Sequence, residues 1–301
     1  SLDREGIRGV FSAAGRFPLA VGAEVTIEAN PQDVTEDRLG LWREFGVGRV
    51  SLGVQSLDPE GLGKALGRTH GPGEARAAAR LVLAYGAELS VDLIYGWSGQ
   101  TPTVWERDLR GAAELGARHV SAYALTPAAG TPLAAWLSSG ELAPLPEEGT
   151  AASMFLAAGR ILGEAGLRRY EVSNFAVPGS ECRHNMRYWR RVPYLGLGPS
   201  AHTFDGALRR GNLASLSGWS EALRGGRDPA AFTEAIGPDE EKLETLMLGL
   251  RLSEGLEAWR LEGSPALEAL VGDGLLERAG ERIVPSERGM LVADWLARTF
   301  S

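Results

Sequence analysis

Polar side chains that suit small-molecule binding recur where the predicted strands reach their carboxyl ends. The strand-end residues are Glu28, Asn30, Gln55, Asp92, Tyr123, Thr126, Glu171, Ser173 and Asn174. Any one of them alone is typical of a buried polar group bonded to a neighbouring loop amide. The placement repeats over five consecutive strands, however, and carboxylates and amides together bind ammonium, hydroxyl and amide groups. The pattern therefore predicts one site for a polar small molecule.

Strands and helices alternate in the part of the chain that carries these residues. Strands are predicted at 24–29, 49–55, 89–95, 119–125 and 169–174, and helices at 1–15, 33–45, 59–66, 73–85, 102–115 and 149–165. Short glycine-rich connections between alternating strands and helices are typical of parallel strands with right-handed crossovers. The predicted fold class is therefore α/β.

The strands alternate in polarity, whereas a sheet covered on both faces has continuous apolar runs. In strand 49–55, Val50, Leu52 and Val54 share one face, and small or polar residues occupy the other. One face then packs against helices while the other lines a polar lumen, which favours a (βα) barrel over an open doubly wound sheet. No GxGxxG follows the first strand and no GxxxxGK(S/T) occurs, which weakens the nucleotide-binding alternatives. In a barrel the carboxyl rim holds the functional site.

The composition excludes several classes of protein. The chain has 301 residues, a formal net charge of -8 and a single cysteine, Cys182. One thiol excludes an intrachain disulfide, a multi-cysteine zinc site and a cluster held by three thiolates of this chain. No apolar run is long enough to span a membrane, and the acidic balance opposes general nucleic-acid binding. The composition is that of an ordinary soluble globular protein.

The pattern changes in the last third of the chain. Residues 205–237 are rich in Gly, Arg and Ser with little periodicity, so we predict a connector there, between a domain over 1–204 and another over 238–301. The last domain has a winged-helix-like order of helix, helix, hairpin and helix, with the hairpin in 274–285. Its candidate recognition segment, 265–273, contains no Lys or Arg. Because DNA reading needs a basic face, we interpret this domain as an interaction or lid module.

Eight segments in chain order resemble one family. They are VTIEANP, RVSLGVQS, LGRTHG, VDLIYG, YALTPAAGTPL, RYEVSNFA, CRHNMRYW and YLGLGPSAH, and they span about Ala23 to about Phe204. This ordered set is similar to the radical S-adenosylmethionine (radical SAM) proteins of the group that contains the HemW heme chaperones and the oxygen-independent coproporphyrinogen III oxidases. The resemblance is weaker but consistent in the C-terminal module. The HNxxYW pattern within CRHNMRYW favours the chaperone branch.

The resemblance implies a partial (βα) barrel of radical SAM type over 1–204 and a set of cofactor contacts. It implies S-adenosylmethionine contacts at Glu28, Gln55, Arg68 and Asp92. Carboxylates can hold the ammonium group or the ribose hydroxyls of this cofactor, and an arginine can pair with its carboxylate. Three of the four residues are strand-end residues that the alternation of polarity also selects. Arg68 taken alone is more typical of a surface ion pair at a helix end.

The function that the resemblance implies is that of a cytoplasmic heme chaperone. Such a protein binds S-adenosylmethionine and heme and delivers heme to respiratory proteins, with no nucleic-acid partner and at most peripheral membrane contact. The alternative is an oxygen-independent coproporphyrinogen III oxidase, which decarboxylates two propionates of coproporphyrinogen III to give protoporphyrinogen IX. A cluster-free scaffold or interaction module is a third interpretation.

The segment 182–189 and the residues after it have two interpretations. His184 is a candidate axial ligand for heme and Cys182 a candidate soft ligand. Neighbouring side chains are able to hold propionates or stack on a porphyrin; they are Arg183, Arg187, Tyr188, Trp189, Arg190 and Arg191. Alternatively, His184 and Asn185 brace a loop and Trp189 packs in the core. A covalent heme site is excluded because no CxxCH occurs in the sequence.

The sequence departs from the family at its beginning. The family's CxxxCxxC, which holds a 4Fe-4S cluster, and its GGGTP-type stretch are both absent, and Ser1 would fall just after the latter. We therefore expect these residues to be the remainder of a longer protein, without the first strands of the barrel. A cloning boundary, a shortened gene model and a natural truncation all give this pattern. The cluster then belongs to the full-length parent only, and whether this chain is an enzyme stays open.

Overall fold

Two compact units make up the chain. The computed structural model describes residues 2–301, and the units divide between Glu181 and Cys182. The predicted division lies at 204, so the structure differs by assigning 182–204 to the second unit. Each unit has its own sheets and is described separately.

The first unit is built on one mixed sheet. Its strands are β1 (Thr26–Ala29), β2 (Arg49–Gln55), β3 (Glu88–Tyr95), β4 (His119–Ala124), β5 (Arg168–Glu171) and β6 (Asn174–Ala176). The hydrogen-bonded order is β1-β2-β3-β4-β6-β5. Strands β1 to β4 are parallel, and β6 runs antiparallel to both β4 and β5. The predicted α/β class with a parallel sheet is confirmed.

The last predicted strand of this sheet is a hairpin. Only Val172 and Ser173 separate β5 from β6, and parallel neighbours would require a crossover of a dozen or more residues. The two segments therefore pair antiparallel. The predicted single strand over 169–174 is wrong because the chain reverses at Val172 and Ser173. The segment RYEVSN contains neither glycine nor proline, so it lacks the strongest sequence markers of a turn.

Within the described residues of the first unit there are six α-helices. They are α1 (Arg4–Ala14), α2 (Glu36–Glu44), α3 (Pro72–Ala84), α4 (Pro102–Glu114), α5 (Pro132–Ser139) and α6 (Glu148–Glu164). Helices α4 and α5 begin alike, since Thr101 and Thr131 each accept a backbone N–H of the first turn and a proline follows. Helix α5 buries no residue and so lacks the apolar periodicity that would predict it. The predicted helix over 59–66 is a single π-helical turn, Gly61–Ala65.

The apolar face of β2 lies at the centre of the first unit's core. Val50, Leu52 and Val54 have no exposed surface, as the alternation of polarity predicts. Trp105 of α4 is also fully buried, and its indole N–H donates to the carbonyl of Met154 in α6 at 2.8 Å. This bond joins two helices of the unit and satisfies a polar atom that burial would otherwise leave unpaired.

The second unit contains two three-stranded antiparallel sheets and six helices. Its elements are α7 (Arg183–Trp189), β7 (His202–Phe204), β8 (Leu208–Asn212), α8 (Leu216–Arg224), β9 (Ala230–Ala235), α9 (Pro238–Gly249), β10 (Leu256–Glu257), α10 (Leu267–Gly272), β11 (Leu276–Ala279), β12 (Arg282–Pro285), α11 (Glu287–Leu291) and α12 (Ala293–Phe300). The sheets have the orders β7-β8-β9 and β10-β12-β11. The predicted C-terminal hairpin is present as β11 and β12.

Residues 205–237, predicted as a connector, carry β8, α8 and β9. Strand β9 is exposed along nearly its whole length, so it lacks the apolar alternation that reveals a strand. Glu244 of α9 pairs with Arg191, which follows α7, at 3.0 Å and with Arg209 of β8 at 2.5 Å. These ion pairs join the segment after Glu181 to the C-terminal helices, which accounts for a division earlier than the predicted one.

Truncation of Leu246 tests the core of the second unit. Leu246 of α9 is 2% exposed and belongs to a buried apolar cluster that includes Leu250, Ile283 and Leu296. We expect Leu246→Ala to lower the free energy of unfolding by about 2–5 kcal/mol, because it opens a cavity in a packed cluster. The matched control is Leu243→Ala on the same helix, where the side chain is 36% exposed. Equal losses of stability in urea unfolding would contradict this packing.

Candidate functional site

A cavity of about 470 Å³ lies in the first unit at the carboxyl ends of β1, β2 and β3. Three of the four residues predicted to contact S-adenosylmethionine line it together: Glu28, Gln55 and Asp92. They come from three different strands, and the parallel arrangement brings the carboxyl ends of these strands to one edge. Ser51 also lines the cavity; it shares the polar face of β2 with Gln55, so the alternation of polarity could have found it.

Asp92 is the electrostatic centre of this cavity. Ser51 Oγ donates to its carboxylate, 3.2 Å from each oxygen. Burial raises the pKa of Asp92 to about 6; hydrogen bonds from Ser121 and Ser51 oppose the shift, and the charge of Glu28 adds to it. Two carboxylates that share one small cavity favour a ligand with positive charge or hydrogen-bond donors.

Gln55 adopts a backbone conformation that is rare for a residue with a side chain. Its φ is +66°, and the N–H of Ser56 donates to the carbonyl of Val54 at 2.8 Å across it. This tight turn ends β2, where the pairing with β3 shifts register after Leu52. A Cβ at Gly53 would lie only 2.8 Å from Gln55 Nε2, so glycine there leaves room for the amide. Such strained residues cluster at functional sites.

Arg68 does not line the cavity, and its role as a contact stays a prediction. It lies in the loop before α3, where its backbone N–H donates to Leu62 at 2.8 Å. The arginine that lines the cavity is Arg38 of α2, whose guanidinium pairs with Asp33 at 2.7 Å. No sequence pattern marked Arg38, because it sits on a helix among other charged residues.

A second group of strand-end residues is linked to Asp92 through Ser121. Burial raises the pKa of Tyr123, hydrogen bonds to Ser121 and Asn174 oppose this, and the charges of Asp92 and Glu171 favour it. Glu171 is fully buried and accepts the N–H of Ser173 at 2.9 Å and the side-chain amide of Asn174. The ends of β4, β5 and β6 therefore extend one polar network from the cavity.

His184 lies in the second unit, in an aromatic cluster. Tyr188 Oη is 2.7 Å from His184 Nε2, and the two rings meet edge to face with centroids 4.8 Å apart. The ring of Tyr194 packs on Tyr188 at 4.5 Å. The imidazole is exposed. The exposed imidazole therefore lies against an aromatic surface formed by Tyr188 and Tyr194.

Two arginines considered for propionates have other partners. Arg190 makes a bidentate pair with Glu254 at 2.9 and 2.8 Å, and Arg191 pairs with Glu241 and Glu244 at 3.0 Å. These pairs join the end of α7 to α9 and to the loop that follows α9, and thus have a structural explanation. Arg187 is exposed and makes no ion pair among the described residues.

The described residues do not fit a 4Fe-4S cluster. Among residues 2–301, no group of three or more His, Cys, Asp or Glu side chains is positioned to hold a metal ion. Cys182 is the only cysteine of the sequence, whereas such a cluster needs three or four thiolates. No chemical step through a cluster is assigned to these residues. In the same part of the chain, no helix has the length and apolar character needed to cross a membrane.

Two family models and several named proteins match this chain. The radical SAM superfamily model matches residues 2–110, and the HemN C-terminal domain model matches residues 236–292. The heme chaperone HemW of Mycobacterium tuberculosis (strain ATCC 25618 / H37Rv) is 40% identical over 286 residues, which cover 94% of this chain and 73% of that protein. The heme chaperone HemW of Escherichia coli (strain K12) is 41% identical over 200 residues, covering 65% of this chain and 51% of that protein.

One solved structure has the same fold. Coproporphyrinogen III oxidase (HemN) from Escherichia coli, a radical SAM enzyme, matches with a TM-score of 0.82 over 99% of this chain and 74% of that chain. The sequence identity is 20%, so the likeness concerns the fold alone.

The raised pKa of Asp92 predicts a dependence of stability on pH. The folded chain binds the Asp92 proton more tightly than the unfolded chain does, so this stabilisation is complete below pH 3.8 and is lost as the pH rises through about 6. The stability of the wild type relative to Asp92→Asn should therefore fall by about 2–3 kcal/mol between those limits.

Urea unfolding at several pH values measures this difference. The matched control is Asp239→Asn, an exposed carboxyl at the start of α9. A stability difference between wild type and Asp92→Asn that stays constant with pH would show that burial does not raise this pKa.

Proposed function

The chain belongs to the HemW heme chaperone family of the radical SAM superfamily, and on that premise we propose that its cavity binds S-adenosylmethionine. The observation that carries this proposal is the grouping of Glu28, Gln55 and Asp92 around one cavity. The cavity volume of about 470 Å³ falls within the range of roughly 300–1,000 Å³ that is usual for small-molecule sites.

The chemistry of the lining residues suits this ligand. S-adenosylmethionine has an ammonium group, a cationic sulfonium, a carboxylate, a ribose diol and an adenine. Glu28 and Asp92 supply acceptors for the ammonium or the ribose hydroxyls, and Gln55 offers an amide to a polar edge. Arg38, which lines the cavity, and Arg68 are the two candidates for the ligand carboxylate. The bound ligand supplies an adenosyl group and a sulfonium, and these residues bind and orient it.

Glu28→Gln tests the proposed contact. The change keeps the shape of the side chain and removes its charge, so we expect the dissociation constant for S-adenosylmethionine to rise about tenfold or more, as expected for losing a charged hydrogen bond. Isothermal titration calorimetry at neutral pH measures it. Glu36→Gln, an exposed carboxyl at the start of α2, is the matched control and should bind normally. Equal affinities of both variants would refute the contact.

We further propose that the second unit binds heme through His184 and that the protein passes heme to respiratory apoproteins in the cytoplasm. Support comes from the relatives, which are named heme chaperones, and from the exposed imidazole beside Tyr188 and Tyr194. Arg187 is available for a propionate. The oxidase alternative is supported by the similarity of fold to coproporphyrinogen III oxidase, whereas the HNxxYW pattern favours the chaperone.

Two substitutions in α7 test the heme ligand. His184→Ala should abolish the saturable shift of the Soret band when hemin is added, with little change in the thermal midpoint, because the imidazole is exposed. Tyr188→Phe removes the hydroxyl that lies against Nε2, so it should preserve or tighten hemin binding. His202→Ala, an exposed histidine of the same unit, is the control. Unchanged hemin binding in His184→Ala, or loss in His202→Ala alone, would reject His184 as the ligand.

A further inference from the structure

A buried carboxylate outside the cavity holds the turn that presents Gln55. Asp108 of α4 is fully buried. Its Oδ2 accepts the hydroxyl of Ser56 at 2.7 Å, and its Oδ1 accepts the backbone N–H of Leu57 at 2.8 Å. Both donors belong to the two residues that directly follow Gln55. The carboxylate therefore holds the two residues that follow the strained Gln55.

Val54, the residue before Gln55, is held by a different side chain, that of His70. The carbonyl of Val54 accepts from Ser56 N and lies 3.1 Å from Nε2 of His70, which is buried. Gln55, with its left-handed φ, thus lies between Val54, whose carbonyl is next to His70, and Ser56 and Leu57, whose hydroxyl and backbone N–H are bound by Asp108. A strained conformation persists only where its surroundings impose it in this way.

The side chain of Leu57, just after the turn, also packs against α4. A Cβ at Gly111 would overlap the side chain of Leu57, so that side chain lies directly against the helix backbone one turn beyond Asp108. The turn is thus attached to α4 by two hydrogen bonds and by this contact.

Asp108 is fully buried, which is costly for a carboxylate, and the charge of Arg107 offsets this cost only in part. Burial raises the pKa of Asp108 to about 6, against the hydrogen bonds from Ser56 and Leu57. The adjacent Arg107 directs its guanidinium to Asp58, at 3.1 Å. An apolar residue would fill the same space at lower cost, so the two hydrogen bonds to the turn are the evident role of this carboxylate.

We propose that Asp108 is a positioning residue for the S-adenosylmethionine site: it acts through Ser56 and Leu57 to hold Gln55 in the conformation that faces the cavity. This inference rests on the proposed function, since Gln55 is assigned to that ligand. Asp108 itself does not line the cavity and does not touch the ligand.

The test compares Asp108→Ala with Asp108→Asn at a pH of about 7.5, where the wild-type carboxyl is ionised. The asparagine keeps an oxygen for Leu57 N and offers its amide to Ser56 Oγ, so it preserves the geometry without the charge. The matched control is Arg107→Ala, which removes the neighbouring ion pair with Asp58 and leaves both hydrogen bonds of Asp108 in place.

Two readouts separate positioning from general stability. In Asp108→Ala, the Leu57 amide should exchange its hydrogen like an unprotected loop amide, while the amides of β3 stay protected. In the same variant, the dissociation constant for S-adenosylmethionine should rise about tenfold or more. Asp108→Asn should restore both values towards the wild type, and Arg107→Ala should leave both unchanged.

The outcomes distinguish this inference from the function on which it rests. Wild-type affinity in Asp108→Ala would overturn the positioning role and leave the proposed function standing. Failure of Asp108→Asn to restore binding, with Leu57 still protected, would also overturn it. If the wild-type chain itself binds no S-adenosylmethionine, the proposed function fails and the positioning role fails with it.

Discussion

The candidate site depends on one carboxylate held between parallel strands. Asp92 of β3 receives hydrogen bonds from Ser51 of β2 and from Ser121 of β4, its neighbours on either side. A carboxylate at this depth is costly unless such donors are present. They are in place because the strands are in register: a slip of one residue would turn each serine to the opposite face. The register of the strands thus determines where the carboxylate of Asp92 and its hydrogen-bond donors lie in the cavity.

The two proposed cofactors belong to different units of the chain. The residues assigned to S-adenosylmethionine all lie before Glu181, whereas His184 lies just after it, in the unit that includes the C-terminal helices. The ion pairs of Glu244 with Arg191 and Arg209 make the HNxxYW helix part of that second unit. Each proposed site therefore lies within one unit of the chain.

The alternation of polarity predicted the site where strands supply the residues. Glu28, Gln55 and Asp92 each lie on the polar face of a strand whose residues alternate in polarity, and the structure groups them around one cavity. Arg38 is different: it comes from a helix whose packing the sequence does not specify. The hairpin of β5 and β6 was missed because its turn contains no glycine or proline, and β9 because an exposed strand need not alternate.

The hydrogen bonds of Asp108 to the residues after Gln55 could not be predicted from the sequence, for a related reason. Asp108 lies 53 positions after Gln55 in the numbering, on a helix where an aspartate is ordinarily a solvated side chain. Only the packing of α4 against the end of β2 brings its oxygens to Ser56 and Leu57. Long-range polar contacts of this kind have no periodic signature, so they appear only once the fold is known.

A titration of Asp92 with and without saturating S-adenosylmethionine, followed by carbon-13 NMR of its carboxyl carbon, tests most directly whether this cavity is the cofactor site. The free chain should show a pKa of about 6. Bound ligand should lower that pKa, because an ammonium or hydroxyl donor at the carboxylate stabilises its charged form. A pKa that the ligand leaves unchanged would contradict the assignment.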